Sequence, residues 1–140
     1  MLRPRTLLMA LAILLPLSAC DQGAGMPEAP TLELDKTTLD FGRDRGLGVY
    51  IGTAPNESFA IQNRGLQTLT LSGIDQEGDS AFTFEGPLET TLEANDRTFV
   101  RVVFRPTEPR VYEGTLTIRS NAANTPSQVV TLTGTGVSPP

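Results

Sequence analysis

At 140 residues the chain is long enough for one ordinary domain and too short for two. It has no histidine or tryptophan and a single cysteine, Cys20, so an intradomain disulfide, a histidine-based catalytic triad and the usual zinc sites are excluded. With 16 acidic against 11 basic residues the formal net charge is −5, and Lys36 forms no patch; nucleic-acid binding is disfavoured, because phosphate contact needs clustered Lys and Arg.

Arg3 and Arg5 precede an apolar run from Leu7 to Leu17. That run is roughly 11 residues, whereas a membrane-spanning helix needs about 20, so it reads as the basic and apolar regions of a secretory signal. Ser18 and Ala19 supply the small residues of a cleavage site, which sets the expected signal peptide at 1–19. Leu17-Ser18-Ala19-Cys20 resembles the lipobox of bacterial lipoproteins. The resemblance implies that Cys20 is diacylated on sulfur and becomes the new N-terminus; an ordinary signal with a cysteine after the cut is the alternative. Two acyl chains, at about 0.8 kcal/mol per buried methylene, anchor stably where one is marginal. The expected location is the bacterial cell envelope, facing the periplasm or the cell surface. Asp21 resembles the inner-membrane retention signal of enteric bacteria, a rule that does not extend to all bacteria, so inner or outer membrane stays open.

Residues 20–30 hold Gly23, Gly25, Pro27 and Pro30 with almost no large apolar residue, the composition of a flexible tether. From Thr31 to Gly136 the pattern has period two and is rich in threonine and β-branched residues. Seven strands are expected. Thr31–Asp35 and Glu57–Asn63 alternate apolar and polar positions. Gln67–Ile74 points Leu69 and Leu71 one way, and Gly73 shifts the phase to Ile74 as a bulge does. Ala81–Glu85 presents Phe82 and Phe84. Arg97–Arg105 turns Val100, Val102 and Phe104 inward and Arg101 and Arg105 outward. Tyr112–Arg119 and Ser127–Gly134 close the series, and 137–140 is left as a tail. Turn residues separate the runs at Asn63-Arg64-Gly65, Glu77-Gly78-Asp79, Ala94-Asn95-Asp96, Pro106–Pro109 and Asn121–Pro126. No helical stripe appears, and the spacing argues for an all-β, seven-stranded immunoglobulin-like sandwich without the Cys-Trp-Cys hallmark of antibody domains.

Six short motifs stand in a recognisable order: Leu39-Asp40-Phe41-Gly42, Ile61-Gln62-Asn63-Arg64-Gly65, Gly78-Asp79-Ser80-Ala81-Phe82, Val102-Val103-Phe104-Arg105-Pro106, Tyr112-Glu113-Gly114-Thr115-Leu116 and Leu132-Thr133-Gly134-Thr135-Gly136. Together they resemble the choice-of-anchor D and ASH (abnormal-spindle/Hydin) group over about Leu32 to Gly136. The resemblance implies the sandwich of major sperm protein. Two departures bear on loops: the chain is longer than usual between Gly42 and Glu57, and Ala94-Asn95-Asp96 replaces a frequent Pro-Gly turn.

Without histidine, carboxylates are the remaining acid–base candidates, and Glu33, Asp35 and Glu57 show no pairing across a cleft. No enzyme activity and no cofactor are expected. Asp75-Gln76-Glu77-Gly78-Asp79 is an acidic turn with several oxygens for calcium, but it lacks the spacing of an EF-hand. Gly46–Gly52 has misplaced glycines and no following Lys-Ser/Thr for a phosphate loop. Phe41, Phe59, Phe82, Phe84, Phe104 and Tyr112 are expected in the core. Tyr50, in the glycine loop, and Phe99, out of phase with the inward set, are the candidate partner contacts. The expected function is that of an envelope lipoprotein whose sandwich is a protein-interaction or structural module. Contact runs through the Arg43–Asn56 loop or an exposed sheet edge. A lipoprotein that binds a glycan or Ca2+ is the alternative.

Overall fold

The structure, a computed structural model, describes residues 25–42 and 47–140. The expected leader 1–19, the expected lipidation site Cys20, the first part of the expected tether and positions 43–46 of the glycine-rich loop lie outside the described residues. Those described form an all-β sandwich of ten strands: β1 (Leu32–Leu34), β2 (Thr38–Phe41), β3 (Val49–Tyr50), β4 (Asn56–Asn63), β5 (Leu69–Gly78), β6 (Phe82–Glu85), β7 (Thr91–Leu92), β8 (Arg97–Phe104), β9 (Val111–Ser120) and β10 (Ser127–Val137). One sheet has the order β1-β4-β8-β6. The other runs β2-β10-β9-β5-β7, with β3 also beside β10.

All seven expected strands form, and three short ones add to them. Strands β2 and β3 both lie parallel to β10, and β7 pairs only Leu92 and Thr91 with Leu69 and Thr70. Strands β3 and β7 have two residues each, too few to show an alternation, and all three ladders depend on partners far along the chain. The bulge is found where the phase shift put it, since Leu71 faces Ser120 while Gly73 faces Arg119. Strand β5 does not stop at Ile74 but runs on to Gly78. The expected turn therefore moves to Asp79–Ala81, where the Phe82 amide donates to the Asp79 carbonyl at 3.3 Å. Strand β10 likewise continues to Val137, one residue into the expected tail.

The inward faces are as the alternation required. Phe59, Ile61, Val100, Val102 and Phe104 of one sheet meet Leu39, Leu69, Leu116, Ile118, Val130 and Leu132 of the other, all fully buried. At one end Phe41, Phe82, Phe104 and Tyr112 pack ring on ring, with centroids 4.9 Å apart for Phe82–Phe104 and 5.3 Å for the edge-on Phe104–Tyr112 pair. Of the six expected core aromatics only Phe84 remains partly exposed at a sheet edge.

The last four residues of the expected tether are docked. Leu66 and Gln67 donate backbone hydrogen bonds to the carbonyls of Pro27 and Glu28 at 2.9 and 3.0 Å, and Ala123 donates to that of Pro30 at 2.8 Å. Gly65 makes room for this strap, because a Cβ there would sit 2.0 Å from the Ala29 carbonyl oxygen. Composition alone reads Pro27–Pro30 as linker, yet prolines only lack donors. Their carbonyls still accept.

Candidate interaction surface

The strap reaches β10 at its Ser127 end, through Ala123, whereas Tyr50 pairs with Val137 at the other end. The eleven residues of β10 make ten steps of about 3.3 Å, which separate these ends by roughly 33 Å. The sandwich thus has one pole that receives the N-terminal segment and an opposite pole formed by Leu47–Ala54, Arg105–Arg110 and the end of β10. Tyr50 is not in a loop as expected but on the short strand β3. A tight turn follows it: the Thr53 amide and hydroxyl both donate to the Tyr50 carbonyl, at 3.1 and 2.7 Å, and Ile51 donates to Val137 at 3.0 Å. Gly52 sits in that turn at φ 88°, a region that L side chains rarely enter. So held, Tyr50 is 50% exposed.

Phe99 is 56% exposed, as its phase required, but it belongs to another surface. It projects from β8 on the outer face of the four-stranded sheet, directly opposite Ala60 and flanked two residues away by Arg97 and Arg101. Among the described residues nothing brings it to Tyr50. The two candidate contacts are separate places.

Two depressions adjoin each other at the Tyr50 pole. One, of about 320 Å³, lies between Ile51–Ala54 and Arg105–Thr107. Its neighbour, of about 290 Å³, is lined by Ser80, Ala81, Thr83, Arg110 and Tyr112 and shares Arg105 and Thr107 with it. The wall of the second is a polar clamp that sequence reasoning missed. Arg110 bridges to Asp79 at 2.8 Å and lies 3.8 Å from the centroid of the Tyr112 ring. The second Asp79 oxygen accepts from the Glu113 amide at 2.8 Å. The Tyr112 hydroxyl accepts from the amides of Thr107 and Glu108 and donates to the Glu108 carbonyl at 3.2 Å, which fixes the β8–β9 turn. Spacing alone does not pair Asp79 with an arginine 31 residues away.

The acidic segment Asp75–Asp79 is strand rather than turn for most of its length. Asp75 and Glu77 project from a strand, Asp75 is paired with Arg119, and Asp79 is held by Arg110 and the Glu113 amide. Among the described residues no three His, Cys, Asp or Glu side chains are grouped to hold a metal ion.

Hydrogen bonds from Arg110 and the Glu113 amide hold the Asp79 carboxyl below its usual 3.8, and the carboxylate in turn raises Arg110. Burial pushes the Tyr112 phenol up, but the Thr107 and Glu108 hydrogen bonds and the Arg110 charge outweigh it and leave a net lowering. A depressed carboxylate stabilises the fold above its unfolded value, and that contribution is lost as pH falls through the folded value. The stability difference between the native chain and Asp79→Asn should therefore be full above about pH 4 and shrink steadily below 3.8. Urea denaturation from pH 7 to 2 measures it; a difference independent of pH would remove the charged clamp.

No curated protein matches the sequence. Among solved structures, the chain is similar to the ASH/PapD-like domain 7 of human CEP192, with a TM-score of 0.62 and 13% identity over 90% of this chain and 99% of that one. It is similar to a protein of unknown function from Porphyromonas gingivalis W83, with a TM-score of 0.63 and 19% identity over 79% of this chain, and it spans 48% of that protein. The periplasmic chaperone SfaE matches with a TM-score of 0.51 and 15% identity, over 78% of this chain and 61% of the chaperone. These likenesses establish an immunoglobulin-like sandwich of the ASH/PapD type. In sequence, the model of the family described as Cep192 domain 4 matches residues 29–137, from the docked strap to the last residue of β10, and the chain belongs to that family.

Proposed function

We propose that this protein is a non-catalytic, protein-binding module carried at the bacterial cell envelope by an acylated Cys20. The observation that carries the reading is the strap. Because Pro27 is already hydrogen-bonded to the sandwich, the seven residues from Cys20 to Pro27 span at most about 25 Å. A membrane anchor at Cys20 then keeps the strap pole near the bilayer and turns the Tyr50 pole, some 33 Å further along β10, away from it. An exposed aromatic beside two polar-rimmed depressions, presented outward on a fixed backbone, suits the capture of a protein partner.

The test uses the full chain in a bacterial host. The native protein should float with membranes on a density gradient, while Cys20→Ser should stay in the soluble fraction. Flotation of the serine variant would remove the anchor. Crosslinking from a photoreactive residue at position 50 should trap one defined partner, and Tyr50→Ala should lose that partner in pull-down with its Tm unchanged. Equal capture by Tyr50→Ala would take the pole out of consideration.

A further inference from the structure

Each edge of a sandwich offers unpaired backbone groups to another strand, so what blocks each edge decides where a partner can add. Strand β1 is blocked at its first residue. Asn124 donates to the Leu32 carbonyl at 2.9 Å and accepts from the Leu32 amide at 3.0 Å, as a neighbouring strand would. Beyond β1 the chain itself crosses to β2 in the other sheet. Strand β6 has its Phe82 carbonyl taken by the Gln76 side-chain amide. Strand β5 differs. Its far side is covered by β7 only at Leu69 and Thr70, with one more bond from Leu71 to the Thr90 carbonyl. From Ser72 to Gly78 no described strand pairs with that side, which is a long edge for so small a sheet.

A groove of about 270 Å³ lies beside this edge, with Ile74, Phe84 and Pro87 among its lining residues. Leu88, in the connection that rims it, is 97% exposed. The groove has room for a large apolar side chain. Around it stand Asp75 and Glu77 on β5, Glu85 on β6 and Glu89 in the connection, all exposed. Asp75 and Glu85 engage Arg119 and Arg101 from the neighbouring strands. Glu77 on β5, and Glu89 between the groove residues Pro87 and Thr90, add negative charge beside it. A second copy is disfavoured as the occupant: a two-fold antiparallel pairing of β5 about Gln76 would set Asp75 against the other copy's Glu77, and like charges directly opposite destabilise a sheet.

Resting on the protein-binding reading above, we propose that the Ser72–Gly78 edge of β5 is the docking strand, and that its partner is an extended segment alternating basic and apolar residues. Main-chain hydrogen bonds extend the sheet past β5. Lysines or arginines of the partner lie along Glu77 and Glu89, and one apolar side chain fills the groove between Ile74 and Phe84.

The probes are three synthetic eight-residue peptides that alternate valine with lysine, threonine or glutamate, added to the detergent-solubilised full chain. The lysine peptide should bind most tightly and slow amide exchange within Ser72–Gly78. Glu77→Lys/Glu89→Lys should weaken it at least tenfold with Tm unchanged. Protection confined to other strands, or equal binding of the lysine and glutamate peptides, would overturn the proposal. So would protection of these amides by self-association without peptide. Photocrosslinking in cells separates this inference from the broader reading. Partner capture from position 77 supports the edge, capture from position 50 alone retains the module but discards the edge, and capture from neither discards both.

Discussion

Asn63→Ala is expected to destabilise the sandwich by about 3–4 kcal/mol, a large share of the roughly 5–15 kcal/mol that holds an ordinary domain together. Asn63 is fully buried at the end of β4, and its amide joins three segments. The two hydrogens on Nδ2 are shared among the carbonyls of Gln67, Leu92 and Glu93, at 2.8, 3.0 and 3.2 Å. Its Oδ1 accepts from the amides of Gly65 at 2.9 Å and Thr31 at 3.3 Å. One side chain thereby ties the start of β1, the β4–β5 turn and the end of β7 to the core. Truncation leaves up to five backbone groups without it, and each buried group that finds no other partner costs about 1–3 kcal/mol. Water reaches some of them, which brings the total below the simple sum. Asn63→Asp is the sharper variant at pH 7: it keeps the acceptor but turns a second oxygen toward three carbonyls, so it should be at least as damaging. Equilibrium urea denaturation measures both. A loss under 1 kcal/mol for Asn63→Ala would show that the junction is held by its backbone alone.

The second large effect is at Phe104. Its ring is fully buried and packs against Phe41, Phe82 and Tyr112, with centroids 5.4, 4.9 and 5.3 Å away. Phe104→Ala opens a cavity between the sheets and should cost about 3–5 kcal/mol. The ring also explains Gly134 of the terminal Leu-x-Gly-x-Gly motif, since a Cβ at that position would lie 2.7 Å from the Phe104 ring. Gly134→Ala should itself be destabilising by overpacking. Phe104→Leu removes the far ring atoms that crowd that Cβ. Combined with Phe104→Leu, Gly134→Ala should therefore cost distinctly less than it does alone, a coupling that a double-mutant cycle detects. Strict additivity would mean that the glycine answers to something other than the ring.

Several features were legible because they are local. The period-two pattern of Val100, Val102 and Phe104, and of Leu116 and Ile118, marks the inward face wherever the strand is placed, since successive side chains alternate by covalent geometry. Gly73 announced its bulge by breaking that phase, and Phe99 announced its exposure by standing out of it. The sequence by itself thus determined the all-β class, the seven principal strands and most of the core.

Tertiary structure decided what depends on partners remote in the chain. Asp75–Asp79 has the composition of an acidic turn, yet pairing with β9 makes most of it strand and gives Asp79 to Arg110. Pro27–Pro30 reads as linker until Leu66, Gln67 and Ala123 donate to it. Asn63 reads as a turn residue until Thr31 and Leu92 converge on it from about 30 positions away on either side. Alternation fixes which way a side chain points, but not which backbone group comes to meet it; that follows only when distant strands close the two sheets over one core.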